Sequence, residues 1–293
     1  MSRGLSRQYV KLCDVTDFED PELLDVVRDL LPERDPVAHA ERKVWEFAMC
    51  VLYLREAGRL DERTEALAVG AGDERILFWL ANRVGRVVAT DIYGTGRFSG
   101  VEADRSMLED PAAHAPYPYR EDHLEVRWMD GRELDFPDES FDVVFSLSSL
   151  EHFGDGRQVA RAAREIGRVL RPGGHAFIAT ECYVRRHPLD RRAVHVALRA
   201  LALTPWRRRG AWWRAGADVF TWDEIERAIV RPSGLRLVQP FDSHVSPASW
   251  ANPIDLRPDG GLVPRSGSMW PQVLMRFRGS FFTSVALALE KPG

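Results

Sequence analysis

Six residues carry the strongest chemical suggestion in this chain: Gly70, Ala71 and Gly72 in Val69-Gly70-Ala71-Gly72-Asp73-Glu74, then Glu74 itself, Asp91 and Asp130. Two glycines separated by one residue, following an apolar stretch and opening into a helix, let backbone amides approach a ligand closely. An acid about 20 residues on, at the end of the next apolar stretch, is placed to accept hydrogen bonds from both hydroxyls of a ribose. Together they indicate an adenosine-containing cofactor. A nicotinamide dinucleotide would satisfy that much equally well. Arg75 separates the two, because the last position of the dinucleotide fingerprint needs a minimal side chain for the helix to pack on the strand. Asp130, in Trp128-Met129-Asp130-Gly131, adds an acceptor suited to an adenine amino group.

The elements that must position these residues alternate in type from Glu65 onward. Ala66 to Val69, Val87 to Thr90, Leu124 to Met129, Phe141 to Ser146 and Ala176 to Thr180 are short apolar strand candidates, with helices expected at Arg75 to Arg83 and Gln158 to Leu170. That order predicts a doubly wound parallel sheet. Arg171-Pro172-Gly173-Gly174 stops the second helix, and Thr221 with Glu224 forms a capping-box pattern for another. The strands at Leu235 to Val238 and Phe281 to Leu289 have no convincing helix between them, so the last is expected to run antiparallel. Residues 1–60 are expected to form an N-terminal helical cap, with a helical pattern from Asp35 to about Gly58, and residues 61–293 the main domain. Two long connections, about 181–218 and 239–278, are expected over the ligand-binding edge as a substrate lid.

Composition narrows the function. A net charge of −4 over 293 residues is unlike a nucleic-acid surface, which carries a cationic excess. Of 40 basic residues only Lys11, Lys43 and Lys291 are lysine. The three cysteines, Cys13, Cys50 and Cys182, have no metal-ligand spacing and leave one unpaired in any disulfide scheme, so a reducing cytoplasm is the expected location. No apolar run reaches the length that spans a bilayer. No metal is expected.

Taken together, Ala68-Val69-Gly70-Ala71-Gly72, Thr90-Asp91, Met129-Asp130, Phe141 to Ser146, Ser149-Leu150-Glu151-His152 and Leu170 to Gly174 resemble the class I S-adenosylmethionine-dependent methyltransferases over roughly residues 60–181. The resemblance implies a seven-stranded Rossmann-like sheet. It also implies S-adenosylmethionine as cofactor, with Gly70 and Gly72 near its amino-acid part, Asp91 on the ribose, and Met129 with Asp130 bracketing adenine; Ile92, Gly131 and Ser146 complete the expected contacts. One departure stands out: many members carry an acid two positions before the first glycine, where this chain has Ala68. Glu74 either takes over part of that role or is a favourable charge in the first helical turn.

Methyl transfer is an in-line displacement, so the protein aligns the reactants and removes a proton if the acceptor is a hydroxyl. His152 is the candidate base, or else a structural hydrogen-bonding residue, with Glu151 orienting it or touching the acceptor. Glu181, Tyr183 and His187, and the pair Asp242 and His244, are candidate acceptor contacts. Trp206 to Arg214 is a basic, aromatic cluster that would serve as an acceptor platform, a membrane-surface contact or simply a solvated helix face. Trp45 and Glu46 would close over the cofactor or belong to the core. The expected reaction is O-methylation of a sugar, glycan precursor or secondary metabolite. A nicotinamide oxidoreductase and a non-catalytic cofactor-binding scaffold are the alternatives. The expected partners are this small-molecule acceptor and, at most, a second copy of the chain as a homodimer; no nucleic acid and no stable membrane insertion are expected.

Overall fold

The structure, a computed structural model, describes residues 4–96, 98–100, 102–188, 218–257, 261–265 and 267–293. Its centre is a sheet whose parallel part is built from β2 (Glu65–Val69), β3 (Arg86–Asp91), β4 (Leu124–Trp128), β5 (Phe141–Leu147) and β6 (Leu170–Arg185), in the spatial order β4-β3-β2-β5-β6. The strand β11 (Ser280–Glu290) pairs antiparallel with β6 along its length. Apolar runs such as Ala66-Leu67-Ala68-Val69 are fully buried because helices cover both faces, so side chains on both sides of the pleat meet core.

On one face lie α1 (Pro21–Leu30), α2 (Arg42–Glu56) and α3 (Arg75–Ala81); on the other, α5 (Gly156–Val169), with α4 (Ser106–Glu109) in the β3–β4 connection. The α5 start is set by a reciprocal cap: Asp155 accepts from the Arg157 and Gln158 amides at 2.9 and 3.1 Å, and Gln158 accepts from the Asp155 amide at 3.0 Å. Near its end, Gly167 lies so close to the chain at Ser233 that a Cβ would stand 1.8 Å from the Ser233 carbonyl oxygen. The Thr221–Glu224 capping box also forms, opening α6 (Trp222–Ile225).

The sheet is larger than the seven strands expected, with eleven among the described residues. The reason is the outer edge of β11, an exposed row of backbone donors and acceptors that three short strands cover in succession. Met275–Phe277 (β10) pairs with its beginning, Val10–Leu12 (β1) with its middle and Arg236–Leu237 (β7) with its end. The N-terminal 60 residues are therefore not purely helical. Likewise, residues 239–278 continue the sheet outward through β10, β8 (Ile254–Leu256) and β9 (Leu262–Pro264), with a short helix at Pro247–Ala251. Between those extremes α2 is buried from Val44 to Leu54, its apolar side chains packed on α1 and the sheet. Among the described residues no helix is long and apolar enough to cross a membrane.

Candidate active site

The carboxyl ends of β2, β3 and β5 and the amino end of α2 enclose a cavity of about 560 Å³. The glycine turn forms its floor. Gly70 and Gly72 have φ of +67° and +50°, a region where a side chain is strained. A Cβ on Gly70 would stand 1.9 Å from Ser149 Oγ, and one on Gly72 2.8 Å from the Glu102 carbonyl oxygen. The turn is held from β3: the Gly70 and Ala71 amides donate to the Thr90 carbonyl at 2.8 and 3.0 Å. Asp91 completes the clamp, accepting from the Gly72 amide at 2.9 Å with one oxygen and from the Ile92 amide at 2.7 Å with the other. Burial pushes its carboxyl up, and these two bonds oppose that shift.

Beside the turn a smaller recess of about 80 Å³ is lined by Asp91, Ile92, Met129, Asp130, Gly131 and Phe153. Gly131 keeps it open, since a Cβ there would meet Phe153 at 2.5 Å and Val69 at 2.7 Å. Arg132 holds the Asp130 carboxylate, donating from Nε at 2.8 Å and from its terminal nitrogen at 2.6 Å, and keeps it below the usual carboxylate range. A recess that a methyl group on Gly131 would fill, lined by the carboxylates of Asp91 and Asp130, fits the adenosine part of S-adenosylmethionine.

His152 ends a 3-10 turn, Leu150–His152, directly after β5. Its Nδ1 lies 3.5 Å from Asp218 Oδ2, and its ring packs 4.8 Å from that of Phe98. Burial alone would lower its pKa, but the Asp218 hydrogen bond and the charges of Glu151, Asp218 and Glu181 outweigh it and raise it. His152, Asp218 and Phe98 all line the large cavity. Glu151 does not: its carboxylate is buried, accepts from Thr180 Oγ1 at 2.9 Å, and is pushed by burial up to about 7. The ring's carboxylate partner is thus Asp218, 66 positions away, not its neighbour.

The other candidates fall elsewhere. Glu181 is paired with Arg42 at 2.5 Å, Tyr183 packs near Val219 and Ile254 with its amide donating to the Phe220 carbonyl, and His244 is exposed; none of the three lines the cavity. The His187 amide donates to Ser280 Oγ at 3.0 Å. Ser146 is buried in β5 and does not line the cavity, with no hydrogen-bond partner for its hydroxyl among the described residues. No described residue of 239–278 lines the cavity, because that segment is used to extend the sheet. Trp206 to Arg214 lies outside the described residues. Trp45 belongs to the core, its indole donating to Asp17, while Glu46 is buried and accepts from Ser148 at 2.7 Å. What takes their place over the cavity is the start of the β3–β4 connection, where Tyr93 donates to the Gly72 carbonyl at 2.8 Å, and α2, which supplies Lys43, Val44 and Phe47.

Residues 67–178 match the Methyltransf_11 family, a methyltransferase domain. The chain is 28% identical over 215 residues to the methyltransferase GfsG of Streptomyces halstedii, covering 71% of this chain and 69% of that protein. It is 36% identical over 120 residues to the 27-O-demethylrifamycin SV methyltransferase of Amycolatopsis mediterranei (strain S699), a match that spans 40% of this chain and only 42% of that relative's length. Among solved structures, a geranyl diphosphate C-methyltransferase from Streptomyces coelicolor A3(2), in complex with Mg2+, geranyl diphosphate and S-adenosyl-L-homocysteine, superposes on 98% of this chain and 90% of its own, with a TM-score of 0.50 at 14% identity; this likeness is one of fold. The glycine turn, Asp91, Asp130 and His152 all lie inside the matched segment: residues 67–178 are a class I methyltransferase domain whose cofactor is S-adenosylmethionine.

Proposed function

We propose that the protein methylates a hydroxyl group of a small molecule, a secondary metabolite or sugar-bearing precursor, with His152 as the general base. The observation that carries this reading is the His152–Asp218 pair in the wall of the cavity that also holds the glycine turn and Asp91. The bound cofactor supplies a methyl group activated by a sulfonium. A hydroxyl is a weak nucleophile, so a base that takes its proton lowers the barrier. With Asp218 accepting from Nδ1–H, the lone pair of His152 is on Nε2, and the imidazolium formed on proton uptake is stabilised by the same carboxylate. Phe98 packs on the ring and limits its rotation. The relative named for an O-demethylated rifamycin supports a hydroxyl acceptor of this class.

The test is transfer of labelled methyl from S-adenosylmethionine to a panel of hydroxyl-bearing and amine-bearing small molecules and to tRNA. Labelling of hydroxyl compounds, lowered about 100-fold or more in His152→Ala, is the expected result. Transfer only to amines or RNA, or full turnover without His152, sinks the reading.

A further inference from the structure

The amino-acid end of the cofactor is a zwitterion, and this chain lacks the acid that its resemblance leads one to expect at Ala68. Instead, a pair of opposite charges stands in the cavity wall beside the turn. Lys43, on the first turn of α2, pairs with Glu74, which precedes α3, and both line the cavity with Gly70 and Gly72. The Lys43 ammonium also donates to the Leu147 carbonyl at the end of β5, at 2.8 Å, which fixes it between the end of β5 and the start of α3. Its third close oxygen, on Glu46, is 3.6 Å away, too far for a good hydrogen bond, so donor capacity remains. Among the described residues the second oxygen of Glu74 has no hydrogen-bond donor. Glu74 is an N-cap residue that makes no cap bond, so its side chain is not spent on the helix.

We propose that Lys43 and Glu74 form the seat of the cofactor's amino-acid end, Lys43 binding the carboxylate and Glu74 the ammonium, in place of the acid missing at Ala68. A fixed Lys–Glu pair is the charge complement of a zwitterion, and each partner gains a second ligand without losing the first. Arg34 and Arg75 also line the cavity, paired with Glu41 and Glu33 of the cap segment; one terminal nitrogen of Arg75 has no hydrogen-bond partner among the described residues, but neither guanidinium bonds the β5 end as Lys43 does. The N-terminal segment then belongs to the cofactor site and is not only a cover for the acceptor.

This inference rests on the methyltransferase reading, and calorimetry separates the two. The full-length protein is titrated with S-adenosylhomocysteine and with 5′-methylthioadenosine, which keeps the adenosine thioether and lacks the amino-acid end. Lys43→Met and Glu74→Gln should each weaken S-adenosylhomocysteine about tenfold to a hundredfold and leave 5′-methylthioadenosine within about twofold. Unchanged 5′-methylthioadenosine affinity also reports an intact fold, and the nearly isosteric Glu74→Gln reads the same ratio should Lys43→Met fail to fold. Equal weakening of both ligands, or of neither, overturns the assignment while leaving the family reading in place. A wild-type protein that binds neither ligand overturns both.

Discussion

Replacing Asp91 by Asn changes one oxygen for a nitrogen of almost the same size, yet the structure requires it to be nearly as damaging as Asp91→Ala. Both carboxylate oxygens already accept backbone amides, from Gly72 at 2.9 Å and from Ile92 at 2.7 Å. An Asn side chain has one acceptor and one donor. Whichever way it turns, its NH₂ faces one of those amides, leaving a buried donor unmatched at a cost of about 1–3 kcal/mol. A cofactor ribose held there would lose the charge on its partner as well, and charge-assisted bonds contribute about 1.5–3 kcal/mol each. Taking about 3 kcal/mol as the combined loss in binding gives a weakening on the order of 100-fold at about 1.4 kcal/mol per decade. The unmatched amide acts without ligand too, so the free protein should melt several degrees lower. Calorimetric titration with S-adenosylhomocysteine and a thermal melt of the free protein read the two effects separately. Asp91→Asn binding within about threefold of wild type, with an unchanged melt, would falsify the clamp as described.

Turnover should rise with pH through the titration of His152, whose neutral form is the proposed base. Because Asp218 raises that pKa above the ordinary value of about 6.5, Asp218→Asn should move the acid limb of a pH–rate profile to lower pH while lowering the plateau by about tenfold or more; an unmoved limb excludes the pair. Gly70→Ala should abolish cofactor binding in titration, since its Cβ meets Ser149 Oγ at 1.9 Å and Cβ at 2.7 Å, and the +67° φ adds about 1–2 kcal/mol of strain that Ser149→Gly would not relieve. Gly167→Ala should cost about 1–3 kcal/mol or more of stability in denaturant unfolding, because the Ser233 carbonyl leaves no room for the added methyl; a wild-type midpoint would mean that α5 shifts freely.

The alternation of apolar strands with helices, the glycine turn, the acids Asp91 and Asp130, and the caps at Asp155 and Thr221 are local features. Each is legible because the physics that sets it acts within a few residues: a positive φ asks for glycine, a helix start asks for a cap, and a strand buried on both faces asks for an unbroken apolar run. The parallel sheet and its antiparallel last strand follow from that order. Tertiary structure alone decided which distant residues meet. Asp218 becomes the partner of His152 because the end of the 181–218 connection returns to the end of β5, and Glu151, though adjacent, points into the protein towards Thr180. Lys43 reaches Glu74 only because α2 is buried at one orientation against the sheet, and a helix that is apolar around most of its circumference does not declare in sequence which side faces the cavity. The same holds for the edge of β11: three short strands share it because hydrogen-bonding groups at a sheet edge are satisfied by whatever chain arrives there, a choice made by the fold and not by any periodicity within β1, β7 or β10.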